Sequence, residues 1–179
     1  MKVRVDHIKD VASDLVFDES LDSFPMLMSL TEGGECSFEG PVSSELSVCR
    51  EADHIRVRGR VQVPVALTCS RCLATYRQQI DSRFTIIFRE GQTRYEDEDE
   101  VELEEQDLVS ALYSGDEIDL LPEIAEQVAL AMPLKPLCSD TCKGLCPSCG
   151  ADLNQTVCSC TKEPVNLKFA ALKDFKVRS

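Results

Sequence analysis

The chain has no apolar run long enough to cross a bilayer, no glycine-rich phosphate loop, no internal repeat and no serine, histidine and aspartate set suited to acyl transfer. Only two histidines, His7 and His54, occur among the 179 residues, and neither has a metal-ligating neighbour in sequence. These absences argue against a membrane span, a P-loop nucleotide enzyme and a histidine-dependent hydrolase. No enzyme is supported. The opening residues MKVRVDHIKD lack a positive start followed by an apolar stretch, so a secretory leader is not expected, nor the oxidising compartment in which disulfides form. The expected location is the cytoplasm.

Cysteine, by contrast, is abundant. Six of the ten cysteines fall between Cys138 and Cys160, in CSDTCKGLCPSCGADLNQTVCSC. The run Cys146, Pro147, Ser148, Cys149, Gly150 has the form of a zinc knuckle, with two thiolates aimed at one ion and a glycine permitting the tight turn. Cys158 and Cys160 stand two apart, a spacing that sends both side chains to one side of an extended segment. Cys69 and Cys72 form another CxxC, and Cys138 and Cys142 a Cx3C just before the knuckle. The spacing therefore predicts two zinc sites, Cys69, Cys72, Cys138 and Cys142 in one and Cys146, Cys149, Cys158 and Cys160 in the other. A single zinc on the C-terminal cluster, with Cys69 and Cys72 as reduced thiols, is the simpler alternative. A thioredoxin-like dithiol requires a strand-to-helix turn, whereas Cys69 and Cys72 sit between two strand-like runs. Cys36 and Cys49 read as small core residues on strands.

Charge is unevenly distributed. The net charge is −13, yet residues 90–126 alone hold fifteen Asp or Glu against one Arg. Residues 50–89 hold eight Arg against three acids, and residues 162–179 five Lys or Arg against two acids. Separate acidic and basic faces with different partners follow from that asymmetry. Arg56, Arg58, Arg60 and Arg71 are the candidate contacts to RNA phosphates, which would make affinity fall steeply with salt. The acidic run carries no glycine-bearing EF-hand spacing.

Periodicity supplies the outline of the fold. KVRV suits a short strand, Phe24 to Leu30 a small helix or docking segment, and Gly34 to Val48 a strand with an edge or bulge at Pro41. In HIRVRGRVQVPVAL, Ile55, Val57, Val61, Val63, Val65 and Leu67 share one face, and Arg56, Arg58, Arg60 and Gln62 share the other. Gly59 falls on the apolar face and suggests a bend or bulge. YRQQIDSRFTIIF alternates likewise, so the two strands are expected to form an antiparallel hairpin with Cys69 and Cys72 at its tip. A charged loop is expected over 90–107, a short helix in DLVSALYS, and a helix near 121–132 that starts at Pro122 and ends before Pro133. VNLKFAALKDF suits a terminal amphipathic helix. The expected class is α+β, an antiparallel β-sheet or partly open barrel core with a few short helices and a C-terminal cysteine-rich zinc module. The expected division is a core over 1–137 and a zinc module with its helix, packed on the core, over 138–179.

The Arg-rich strand leading to LTCSRCL, the segment EIDLLPEIAEQVALAMPLKPLC, then CKGLCPSCGADLN and a terminal CxC together resemble the YceD-type large ribosomal RNA subunit accumulation family, over roughly residues 50–175. Some members lack the C-terminal knuckles yet keep the CxxC with His or Cys at positions resembling Cys138 and Cys142, in line with a separate site there. Many read Asp-Pro-Arg where this chain has Asn166, Leu167 and Lys168. The resemblance implies a non-enzymatic role in accumulation or maturation of 23S ribosomal RNA and in large-subunit assembly, in the bacterial cytoplasm or in plastids. A zinc-stabilised basic surface would meet ribosomal RNA or a large-subunit ribosomal protein, with no membrane and no small-molecule substrate. A zinc-thiolate redox switch or an adaptor protein is the alternative.

Overall fold

The computed structural model describes residues 1–34, 36–91 and 110–160. In chain order the elements are β1 (Lys2–Arg4), β2 (Ser13–Glu19), α1 (Pro25–Thr31), β3 (Cys36–Phe38), β4 (Val42–Glu51), β5 (His54–Thr68), β6 (Thr75–Glu90), β7 (Ser110–Tyr113), β8 (Glu117–Asp119) and α2 (Leu121–Ala131). The architecture is α+β with a mostly antiparallel open sheet. A six-stranded sheet runs β2-β4-β5-β6-β7, with β3 also paired to β5, and β1 with β8 makes a small second sheet.

Two compact units result. One comprises Met1–Leu67 and Arg77–Leu134, the other Thr68–Tyr76 and Lys135–Ser179. The second thus takes in the turn between the two longest strands as well as the cysteine-rich segment.

The alternation in β5 builds the core of the first unit. Ile55, Val57, Val61, Val63 and Val65 are buried, while Arg56, Arg58, Arg60 and Gln62 face the other way. β6 repeats the pattern with Ile80, Ile86 and Phe88 buried. Burying such side chains stabilises by roughly 1.5–3 kcal/mol each, so a one-residue slip that turned the arginines inward is strongly excluded.

Gly59 departs from the expected bend. The ladder runs through it without a bulge, pairing Leu46 with Gly59 between Arg60 opposite Glu45 and Arg58 opposite Ser47. Its role is space: a Cβ there would lie 2.4 Å from Phe84 Cζ and 2.6 Å from Leu46 Cδ2.

Two further expectations are corrected. Gly34 to Val48 is two strands rather than one, β3 and β4, broken at Gly40 and Pro41. A Cβ at Gly40 would come within 2.8 Å of Pro64 Cγ, so the break falls where the ring of Pro64 leaves no room for a side chain. Within DLVSALYS the described residues form strand rather than helix. β7 pairs in parallel with β6, Ile87 opposite Ser110 and Glu90 opposite Tyr113, and that tertiary pairing overrides a local pattern compatible with helix.

α2 begins with Pro122 in its first turn and buries Ile124, Ala125 and Val128, as the periodicity requires. α1 is a seven-residue helix whose one buried side chain is Leu27. The greater part of the stretch expected as an acidic loop, and all of VNLKFAALKDF, expected as a terminal helix, lie outside the described residues. No helix among the described residues is long and apolar enough to cross a membrane.

Candidate metal centres

The second unit places eight thiols in two groups of four. Cys69, Cys72, Cys138 and Cys142 form one and Cys146, Cys149, Cys158 and Cys160 the other, the four sulfurs of each lying within 4.8 Å of one another. In the first quartet Cys69 Sγ lies 3.8 Å from Cys142 Sγ, and Cys72 Sγ lies 3.6 Å from Cys138 Sγ. A disulfide would need about 2.05 Å. The tetrahedron edge around an ion with bonds of about 2.3 Å is roughly 3.8 Å. The separations fit a four-coordinate ion, and none of the ten cysteines forms a disulfide.

Each quartet is seeded by the same local turn. In the first, the Cys69 amide donates to Ala74 O (2.9 Å) and the Leu73 amide to Cys69 O (2.9 Å). In the second, the Cys146 amide donates to Ala151 O and the Gly150 amide to Cys146 O, both at 2.8 Å. Gly150 takes φ +74 and Leu73 φ +59, the left-handed conformation that turns the following backbone back on the sulfurs. Chain return completes each set, Cys138 and Cys142 closing the first and Cys158 and Cys160 the second.

Neighbouring groups hold these turns in place. Gly144 takes φ +75, and a Cβ there would lie only 2.9 Å from Arg71 O, while the Leu145 amide donates to that same carbonyl (3.0 Å). Arg71 Nη1 donates to Asp140 O (3.1 Å) and Cys142 O (2.9 Å). Tyr76, Leu137 and Leu145 pack against the buried Cys69, Cys72 and Cys142. Asn154 ties the two halves of the unit together. Its Nδ2 donates to Cys142 Sγ (3.4 Å) and its Oδ1 accepts from the Lys143 amide (2.8 Å), while its own amide donates to Asp152 Oδ1 (2.9 Å). Such outer contacts orient a ligand and tune its basicity. Asn154 does not stand out in the sequence, because its contact depends on where the chain returns.

The electrostatics suit metal capture. The Cys138 backbone amide, helped by those of Cys72 and Arg71, holds the Cys69 thiol down at about 6 against the cost of burial. The Cys149 and Ser148 amides hold Cys146 at about 6 in the same way. At the opposite extreme Cys138, beside the sulfurs of Cys142 and Cys72, is pushed up to about 12, and Cys160, beside Cys149, also to about 12. One sulfur in each quartet ionises readily, and another is held back from ionising by its hydrogen bonds to the sulfurs beside it and then by their mutual repulsion. A cation replacing those protons relieves the repulsion. Four thiolates, with no oxygen or nitrogen donor, select a soft tetrahedral ion.

The arginines named from sequence have different surroundings. Arg56 pairs with Glu51 and lies 3.8 Å from Cys49 Sγ. Arg60 grips Asp81 through both ends of its guanidinium, Nε to Oδ1 at 2.8 Å. The carboxyl of Asp81 is lowered chiefly by that hydrogen bond. Arg71 is engaged by carbonyls around the first quartet. Arg58 is exposed and, among the described residues, makes no ion pair. It lines a shallow groove of about 490 Å³ with Arg60, Arg83, Asp14 and Glu45. His54 is held between Asp53 (2.9 Å) and Glu51 (3.0 Å), and His7 is exposed beside Asp6.

Fold and site together define a small α+β protein with two four-thiol centres able to hold metal. Residues 57–176 match the family model described as large ribosomal RNA subunit accumulation protein YceD, and the chain belongs to that family. Among curated relatives, the maize chloroplastic large ribosomal RNA subunit accumulation protein YCED homolog 1 is 29% identical over 149 residues, covering 72% of this chain and 50% of its own. The Arabidopsis thaliana protein of the same name is 26% identical over 156 residues, covering 76% and 49%. An uncharacterised Mycobacterium tuberculosis protein is 33% identical over 109 residues, covering 61% and 50%. The chain thus spans about half the length of the curated relatives it matches. No solved structure matches.

Proposed function

We propose that the protein is a non-enzymatic factor for accumulation or maturation of 23S ribosomal RNA and assembly of the large ribosomal subunit. The observation that carries this reading is the family match over 57–176, which takes in β5 from Val57 onward and both cysteine quartets. Zinc is the ion of choice for both quartets, because a closed four-thiolate site leaves no open position for substrate and serves structure. When bound it would supply cross-links that hold the turn from Thr68 to Thr75, and therefore the ends of β5 and β6 that leave it.

Phosphate contact would come from the open face of β5 and β6. Arg58 and Arg83 are exposed there and, among the described residues, make no ion pair, whereas Arg56, Arg60 and Arg77 already meet carboxylates. A net charge of −13 makes such contacts local and sensitive to salt. Depletion in the native host should lower 23S relative to 16S ribosomal RNA; an unchanged ratio overturns the role. Titration of the purified protein with 23S fragments tests direct contact. Arg58→Ala with Arg83→Ala should reduce the slope of log affinity against log salt by roughly 0.7–0.9 for each phosphate that the variant no longer neutralises. An unaltered slope rejects this face as the RNA surface.

A further inference from the structure

The first unit carries a second surface whose chemistry is opposite to that of the arginine face. α1 exposes Met26, Met28 and Leu30, each at 40–45%, on a helix of only seven residues. A cleft of about 310 Å³ opens where the start of α1 meets the start of α2. Phe24, Pro25 and Ala125 contribute to its apolar walls, with Met26, Asp119 and Glu126 also lining it. Exposed thioethers beside a preformed apolar cleft make an adaptable contact surface, since methionine repacks at low cost around different shapes.

The two segments that form it carry charge of one sign. Between Lys9 and Arg50, residues 10–49 hold nine Asp or Glu and no Lys or Arg, and α1 lies within them. Residues 110–134 hold five acids and again no Lys or Arg, and α2 lies within those. The starts of α1 and α2, each within a base-free stretch, meet at this cleft. Asp119 accepts from the chain's amino terminus (3.2 Å) and from the Leu121 amide (3.1 Å). Glu123 and Glu126, one turn apart on α2, make no ion pair among the described residues. Burial first, and then the Glu126 charge, raise the Glu123 carboxyl, the mark of an uncompensated pair.

We propose that the cleft between α1 and α2 docks a basic segment of a partner protein, an apolar anchor entering between Met26 and Ala125 while flanking Lys or Arg meet Glu126 and Glu123. Charge complementarity selects this occupant. Phosphate would be repelled here, and an acidic segment would add like charges to a patch where the terminal amine and Lys2 already face Asp119 and Glu117 while Glu123 and Glu126 have no cation among the described residues. The site goes beyond the RNA reading and uses none of its residues, so the two fail separately.

Methyl NMR of the full chain carrying 13C-methyl methionine tests it directly, because only four methionines occur and two of them, Met26 and Met28, lie on α1. The probe is a synthetic peptide of Lys and Arg around a Leu-Phe anchor. Its addition should shift the Met26 and Met28 methyls and leave Met132 unmoved. Glu126→Lys should weaken binding roughly tenfold, the scale of one close charge pair, whereas Asp14→Lys, the same charge change on β2, should leave it within about twofold. Equal weakening by both variants means general attraction to an acidic protein and overturns the site. So do unshifted α1 methyls, or α1 methyls that move without peptide when Lys168 and Lys173 are changed to Glu, which would make the chain's own tail the occupant.

Discussion

Leu73 occupies in the first cysteine turn the place that Gly150 occupies in the second: each amide closes on the carbonyl of the cysteine four residues earlier, at 2.9 and 2.8 Å, and each residue has positive φ. Only one of the two is a glycine. A left-handed leucine costs about 1–2 kcal/mol relative to glycine, partly offset by the roughly 0.5–1 kcal/mol that glycine loses in the unfolded chain. Leu73→Gly should therefore leave metal content unchanged and raise stability by up to about 1 kcal/mol, read by denaturant unfolding of the loaded protein. Gly150→Leu should lower it by a comparable amount.

Asn154 donates to Cys142 Sγ without itself being a ligand. Replacing it with Ala should keep every thiol yet weaken metal binding in the first quartet about 10–100-fold, the usual scale for removing a hydrogen bond that orients a metal ligand. Competition against a chromophoric chelator measures this, and equal retention by wild type and variant would deny Asn154 that role.

Acid should remove the metal with a break near pH 6. Cys69 and Cys146 are held at about 6, below the ordinary thiol value of about 8.5. Because the folded values are depressed, the favourable ionisation is fully present above the ordinary thiol value and is lost as pH falls through 6. Below that point each ion must displace one more proton at its site, adding about a tenfold loss of apparent affinity per pH unit. A chelator competition series between about pH 5 and 7.5 shows the steepening; a constant slope contradicts it.

Much of this arrangement is legible in the chain. The pairing of the cysteines follows from spacing, because CxxC, Cx3C and CxC each present two sulfurs locally. The alternation of β5 and β6 is strong enough to separate the buried valines from the arginines. What escapes sequence reading is set by contacts between distant residues. Arg60 is 21 positions from Asp81, so its neutralisation is invisible in a run that reads as cationic. β7 owes its strand form to Ile87 and its neighbours, and Gly59 owes its identity to the ring of Phe84 and the methyl of Leu46. Gly150 is readable as a turn residue, whereas Leu73 is not, since nothing local marks a leucine for positive φ.

The Asp81 carboxylate restrains Arg60 on the open face, with Gln62 donating to the same group (3.1 Å). Asp81→Ala should free that guanidinium and steepen the salt dependence of RNA binding by about one phosphate contact, roughly 0.7–0.9 in slope. Arg60→Ala alone should change RNA binding little, because its charge is already met. The reverse ranking in a salt titration would place Arg60 on RNA directly.

Zinc content per chain is the most direct test. Protein purified without chelators should carry two zinc ions, with Cys142→Ser losing one and Cys158→Ser losing the other. A preparation with intact thiols that binds no zinc, or that saturates at a single ion, would contradict the two-centre account.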